Sequence, residues 1–309
     1  MKRLALLLIG SMMVMATTCE RPLELQFPEA SPSLVVISNF TSNQDLMVQV
    51  SLSRTILESP GIEYITGAQV SVFEGDQKIE QLELVIPNMG TPFYRTEEFR
   101  AEIGVEYGIQ VLVPGYDEVM AMSSIPEQID LERVNIENLV IEKQSDSIEA
   151  YTLDLNVGFQ DPGNQKNYYH LKLYQQFERF TVLRSDTIVT SSSIRELQFS
   201  AAINNNFQVA HYEGGILLED TPFDGISQNY SFPLQVNVAF QEELPGQIVA
   251  ELRTVSKEYF LFYSSVSRQQ QAPAIPLAEP VIIFNNIENG RGVFAGYAQS
   301  RASIELGPN

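Results

Sequence analysis

The thiol of Cys19 is the reactive group whose position in this sequence suggests a specific chemistry. Cys19 is the only cysteine among the 309 residues, so the chain offers it no disulfide partner. It follows Lys2 and Arg3, an apolar run over residues 4–15, and the small residues 16–18. Such a charged start, short apolar core and small residues before a cleavage point are typical of a secretory signal peptide. The pattern predicts cleavage before Cys19 and lipidation of its sulfur.

The surroundings of Cys19 leave two interpretations open. It could be a chance cysteine near an ordinary cleavage site, or the acylated residue of a lipobox. The usual lipobox has Leu and then Gly or Ala where this chain has Ala16 and Thr18, and the variant resembles the looser lipoboxes of Bacteroidota. The lipobox interpretation predicts a lipoprotein signal peptide at residues 1–18 and a lipid tether at residues 19–32. Several acyl chains would then hold the protein on the outer membrane.

Other side chains with catalytic or metal-binding potential form no recognised pattern. The chain has two histidines, which excludes a three-histidine zinc site, and no H-E-x-x-H motif. His170 lies in an alternating strand and is expected to be an ordinary strand histidine, and His211 is expected to be exposed. Asp161 and Asn164 are expected to form a turn. A Ser-His-Asp triad and a pair of catalytic carboxylates stay open because their members need not be neighbours in sequence. We predict no enzyme activity, no cofactor and no metal.

The charge of the chain restricts its partners. It has 39 acidic and 19 basic residues and a formal net charge of −20. A surface this acidic repels phosphate backbones and anionic head groups. We therefore predict no nucleic-acid binding, and membrane attachment through the lipid on Cys19 rather than through electrostatic attraction.

Alternating apolar residues predict a mainly β fold with two domains. Residues 34–40 and 46–52 alternate on either side of a polar turn and predict a hairpin. Six or seven short strands over about ninety residues, with turn signals between them, predict a β-sandwich domain at residues 33–125. A break at residues 126–130 leads to a second, larger β-rich domain at residues 130–309.

One helix is predicted in the C-terminal region of this β-rich chain. Ser256 is a suitable N-cap residue. Apolar side chains with three- and four-residue spacing follow it on one face, namely Tyr259, Phe262, Tyr263 and Val266. The stripe predicts a helix that packs on a sheet, and a ligand platform is the alternative.

Two loop regions and two short strings are candidates for surface roles. Residues 191–229 are polar and are predicted to be irregular, and residues 285–292 form a Gly/Asn loop. Both are predicted contact surfaces, because loops often carry function. The strings Asp-Ser-Ile and Asp-Thr-Ile around Ser147 and Thr187 resemble O-glycan acceptors of Bacteroidota, and chance matches are the alternative.

Several short motifs, in a fixed order, are similar to those of one family. The motifs are Cys19 with its signal, Gly67-Ala68-Gln69-Val70-Ser71-Val72, Gly104-Val105-Glu106-Tyr107, Asp161-Pro162 with Asn167-Tyr168-Tyr169, and Asn286-Ile287 with Asn289-Gly290 and Gly292-Val293-Phe294. Together they resemble the Bacteroidota lipoproteins of domain-of-unknown-function family 4249, and they span nearly the whole chain.

The resemblance implies a fold and a role. Its first domain would be an immunoglobulin-like or carboxypeptidase-regulatory-like sandwich. The protein would be a non-enzymatic accessory subunit of a TonB-dependent outer-membrane receptor, anchored at the cell surface, with the periplasmic face as the alternative. A free-standing cell-surface binder of glycans or peptides is the second functional hypothesis, and a surface hydrolase is the third. The resemblance supplies no catalytic residues.

Overall fold

The first strand of the fold, β1 (Leu34–Phe40), shows how the sequence builds its sheets. Every second side chain of β1 is buried, and the residues between them are half-buried. A polar turn follows, in which Asn43 takes a positive φ of 61°, a conformation that asparagine tolerates better than most residues. The strand then pairs antiparallel with β2 (Asp45–Leu52). The predicted hairpin is confirmed.

The computed structural model describes residues 32–54, 61–183, 186–199, 210–271 and 281–307. Within these ranges the chain is mainly β, with one helix in the C-terminal region, as predicted. After β1 and β2 the strands are β3 (Gln69–Glu74), β4 (Gln77–Gln81), β5 (Glu83–Val85), β6 (Phe93–Arg100), β7 (Glu106–Leu112), β8 (Val119–Ser124), β9 (Leu131–Lys143), β10 (Glu149–Gln160), β11 (Tyr168–Leu183), β12 (Asp186–Glu196), β13 (Ala210–Tyr212), β14 (Gly215–Glu219), β15 (Ser227–Val238), β16 (Glu243–Val255) and β17 (Arg291–Glu305). The helix, α1 (Lys257–Gln271), lies between β16 and β17.

The strands form three sheets. The largest has ten strands in the order β13-β14-β11-β16-β17-β1-β2-β6-β5, with β12 paired to β11. A four-stranded sheet has the order β4-β3-β7-β8, and a three-stranded sheet has the order β15-β10-β9. Among the strand pairs that the structure describes, β1 and β17 form the one parallel pair. The first and last strands of the described chain are therefore neighbours in the middle of the large sheet.

The large sheet packs against each smaller sheet through a separate hydrophobic core. The first core combines residues of β1 and β2 with residues of β3, β7 and β8, so this part is a β-sandwich. The second core combines β11, β14 and β16 with β10 and β15. Apart from Ile287 and residues of β17, the first core comes from before the predicted boundary at residues 126–130, and the second from after it. All described residues nevertheless belong to one compact unit, and the division into domains at 33–125 and 130–309 stays a prediction.

The helix α1 covers part of the other face of the large sheet. It begins after Ser256, whose hydroxyl accepts a hydrogen bond from the Tyr259 backbone N–H at 3.3 Å. Tyr259, Phe262 and Tyr263 are buried against residues of β14, β16 and β17. The predicted N-cap and the predicted packing of the aromatic stripe on a sheet are confirmed.

The prediction that residues 191–229 are irregular is wrong for the part that the structure describes. This region contains the end of β12, the short strands β13 and β14, and the start of β15. Strand β14 carries a continuous apolar run because it is buried on both faces. Ile216 and Leu218 face the second core, and Leu217 faces α1. Such a run gives no alternating signal. Residues 200–209 lie outside the described ranges.

Glycine is required where β17 meets β1. Gly292 has a φ of 116°, and a Cβ atom there would lie 2.0 Å from the carbonyl oxygen of Val36. Backbone at this distance cannot move aside as a flexible side chain can. The parallel pairing of β1 with β17 therefore depends on a residue without a side chain at this position.

We predict that Gly292→Ala lowers the free energy of unfolding by more than about 3 kcal/mol, because it combines a backbone clash with an unfavourable φ. Gly67→Ala is the matched control, since a Cβ at Gly67 meets no atom within 4 Å. Its effect should stay within about 0.5 kcal/mol. Urea denaturation followed by circular dichroism measures both. Equal stabilities for the two variants would contradict the close approach of Gly292 to the carbonyl oxygen of Val36.

Candidate functional site

The structure separates the residues that the sequence marks as candidate modification sites. Ser147 is exposed in the turn between β9 and β10, and Thr187 is exposed near the start of β12. Both hydroxyls face solvent, as an O-glycan acceptor requires, and their modification stays a prediction. Cys19 lies outside the described residues. In the part of the chain that is described, no helix is both long and apolar enough to cross a membrane.

His170 is buried beneath α1, at the contact of β11 with β14. Its Nδ1 lies 3.0 Å from the hydroxyl of Tyr259, and its Nε2 lies 3.3 Å from the backbone carbonyl oxygen of Tyr212. Since a carbonyl can only accept, Nε2 carries the proton and Nδ1 accepts from Tyr259. Burial lowers the pKa of His170 to about 3, and the charges of Arg253 and Lys172 contribute. The imidazole is therefore neutral and structural near pH 7, in agreement with the expected ordinary strand histidine.

A buried charge network continues from His170 across the same face of the sheet. The guanidinium of Arg253 donates to the Tyr259 hydroxyl at 3.3 Å and, through Nε, to Glu251 at 2.6 Å. Glu251 is fully buried and accepts a second charged hydrogen bond from Arg301 Nε at 2.6 Å. A buried carboxylate requires such compensation. Through Glu251, these charged groups hold β16 and β17 together.

Three carboxylates come together where β10 leads into β11. Oxygens of Asp161, Asp220 and Asp224 lie within 4.8 Å of one another, so this cluster is the candidate for a metal site among the described residues. Asp161 accepts hydrogen bonds from the Tyr169 hydroxyl and from the Gly225 backbone N–H, the latter at 2.8 Å. Burial, and secondly Asp161, raise the pKa of Tyr169, which keeps this hydroxyl a neutral donor.

Asp220 and Asp224 also have partners within the chain. Asp220 accepts from the backbone N–H of Asn167 and lies 3.2 Å from the ammonium nitrogen of Lys166. Asp224 accepts from the backbone N–H of Asn164 at 3.0 Å. The cluster therefore joins two loops through groups of the chain itself. It also explains the Asp-Pro and Asn-Tyr-Tyr motifs as parts of one buried junction.

A groove lies on the outer face of the four-stranded sheet. Strand register places Phe73 of β3, Gly108 of β7 and Met122 of β8 in one row across the sheet. Because Gly108 has no side chain, the row has a depression between Phe73 and Met122. Met120, one position along β8, extends the apolar wall. The groove has a volume of about 450 Å³, within the range of ligand sites.

The predicted contact loop at residues 285–292 borders this groove. Asn286 and Glu288 line it. The Glu288 backbone N–H donates to the Met120 carbonyl at 2.8 Å, and the Asn289 side chain donates to the Glu118 carbonyl at 3.0 Å. The loop thus covers the free edge of β8 and supplies part of the groove's wall.

Sequence reasoning missed the groove, although one signal for it is present. Residues 119–122 read Val-Met-Ala-Met, so both faces of β8 are apolar. Val119 and Ala121 face the first core, whereas Met120 and Met122 are exposed. Apolar residues at the solvent-facing positions of a strand indicate a surface that binds something.

A family model described as domain of unknown function (DUF4249) matches residues 20–303. No curated protein matches the chain.

The low pKa of His170 predicts how stability responds to acid. The unfolded state binds a proton near pH 6.5 and the folded state near pH 3, so between these values unfolding takes up a proton and stability falls as the pH falls. Replacing His170 by Gln removes this contribution. The wild type should lose up to about 1.4 kcal/mol more per pH unit than His170→Gln between pH 6 and pH 4.

Urea denaturation at several pH values measures both slopes. His211→Gln is the matched control, because His211 is exposed, and it should keep the wild-type slope. Identical slopes for the wild type and His170→Gln would contradict the buried neutral imidazole.

Proposed function

The chain belongs to the DUF4249 family, and from that premise we propose that it is a non-enzymatic, surface-exposed outer-membrane lipoprotein that serves as an accessory subunit of a TonB-dependent receptor. The observation that carries the proposal is Cys19, placed directly after a predicted secretory signal and without any other cysteine in the chain. Acylation of Cys19 would keep the protein at a membrane where such receptors reside.

A binding role is supported by three buried reactive side chains that are hydrogen-bonded within the fold. His170 is engaged under α1, Glu251 is held by two arginines, and Asp161 is held by a tyrosine and a backbone N–H. Each of these groups has a structural task within the fold. The groove beside Gly108, by contrast, is open to solvent and offers apolar contacts, which suits recognition.

In the alternative, the protein is a free-standing surface binder, and its partner is a glycan or a peptide instead of a receptor. Glycan binding would require exposed aromatic rings for stacking. Among the described tyrosines and phenylalanines, Tyr116 is the one with more than a third of its surface exposed, at 38%. The groove walls of Phe73 and methionines favour a polypeptide over a sugar.

Affinity purification from gently solubilised outer membranes tests the proposal. We expect the wild type to bring down one TonB-dependent receptor in stoichiometric amount. Cys19→Ala should leave the membrane fraction, because it lacks the acceptor for the lipid. Thr152→Ala is a matched control, since it alters one exposed residue far from the predicted anchor in sequence, and it should stay in the membrane fraction with the receptor.

Two results would contradict the proposal. Membrane attachment of Cys19→Ala equal to that of the wild type would remove the lipid anchor from the account. Recovery of the lipidated wild type alone would favour a free-standing binder of peptides.

A further inference from the structure

The groove on the outer face of the four-stranded sheet is bordered by apolar side chains on two sides. Gly108, itself buried, lies at its base, and Phe73 and Met122 stand on either side at the same level of the sheet. Met122 is 48% exposed, so its flexible side chain can adapt to an occupant. An unbranched or branched aliphatic side chain placed over Gly108 would be covered on both flanks.

The charges that line the groove have one sign. Asp76 and Glu288 are its charged lining residues, and both are exposed. The neighbouring Gln110 is tied to the carboxylate of Glu118. The nearest cation by register is Lys78 on β4, beyond Phe73, and its ammonium group lies 3.2 Å from the amide oxygen of Gln81. The rim therefore attracts positive charge.

Strand addition is not available at the side of the groove formed by β8. The carbonyls of Met120 and Glu118 already accept hydrogen bonds from residues 288 and 289. A ligand must therefore be recognised through its side chains, on the face of the sheet, rather than through backbone pairing at the edge.

We propose that this groove docks an extended polypeptide segment of the partner protein, which inserts an aliphatic side chain over Gly108 and places lysine or arginine side chains against Asp76 and Glu288. The inference rests on the proposed accessory-subunit function and assigns it a contact surface. The complementarity is apolar at the floor and electrostatic at the rim, so affinity falls as the salt concentration rises.

Methyl signals of methionine provide a direct test in the full-length chain. The probe is a synthetic peptide of alternating lysine and leucine, and a peptide of alternating glutamate and leucine is its control. The lysine peptide should shift the signals of Met120 and Met122, assigned through Met120→Leu and Met122→Leu. The signal of Met47 should not move. Met47 is the matched control residue because it is 47% exposed and lies on β2, outside the groove.

Filling the depression should abolish binding without disturbing the fold. A Cβ at Gly108 would make only ordinary contacts at 3.7–3.8 Å with Ala121, Met122 and Phe73. Gly108→Val, with its fold checked by circular dichroism, should lose the peptide-induced shifts, with at least about a tenfold loss of affinity. Asp76→Asn combined with Glu288→Gln should weaken binding about threefold or more at moderate salt.

Several outcomes would overturn the inference. They are unmoved Met120 and Met122 signals, equal shifts with the glutamate peptide, and full binding by Gly108→Val. Shifts that depend on protein concentration together with a doubled mass would make a second copy of the chain the occupant instead.

Co-purification separates this inference from the proposed function. Loss of the receptor in Gly108→Val, with Gly67→Ala retaining it, supports the groove as the contact surface. If the receptor co-purifies equally with both variants, the accessory role stands and the groove is not the contact surface. No receptor with the wild type rejects the accessory role, and the peptide titration then still decides whether the groove binds a basic, apolar segment.

Discussion

The parallel pairing of β1 with β17 is the constraint on which the rest of the structure depends. Parallel neighbours need a crossover connection between them, and here that connection is nearly the whole described chain. The pair allows a close approach at Gly292 and stacks Phe40 on Phe294, with ring centroids 4.6 Å apart. Along its length β17 contributes to all three hydrophobic clusters. Phe294 and Ala298 belong to the first core, Val293 and Ala295 belong to the cluster under α1, and the partly buried Ile304 packs against the second core. One strand therefore joins two sandwiches into one unit.

The second face of the large sheet explains why so many polar groups are buried. Part of this face is covered by α1, and beside the apolar cluster beneath the helix lie a histidine, tyrosines and a neutralised set of charges. Arg253 donates a hydrogen bond to the Tyr259 hydroxyl, and that hydroxyl donates to Nδ1 of His170. The direction is fixed because Nε2 of His170 must donate to the backbone carbonyl of Tyr212, which leaves Nδ1 as the acceptor. Buried charged groups seldom increase stability relative to apolar packing. Here the hydrogen bonds between these groups fix the positions of β11, β16 and α1 relative to one another. The bond from Arg301 to Glu251 then holds β17 against β16.

Local patterns predicted the parts of the fold that local physics determines. The β1–β2 hairpin follows from alternation around a polar turn, and α1 follows from Ser256 and the spacing of Tyr259 and Phe262. Contacts between distant segments were beyond such reasoning. The burial of β14 on both faces, the meeting of Asp161 with Asp220, and the pairing of β1 with β17 depend on which elements meet in space. The groove was missed for the same reason, since the role of Gly108 depends on Phe73 and Met122 on neighbouring strands.

Native-state hydrogen exchange tests the central claim, that β17 makes the two cores one cooperative unit. Exchange of amides in β7 of the first core, β11 of the second core and β17 should be followed at low denaturant concentrations. We expect the most protected amides of all three strands to exchange with the same free energy of opening, because none can open unless β17 leaves the sheet. A clear difference, with β11 still protected when β7 and β17 exchange freely, would contradict it and show two cores that open independently.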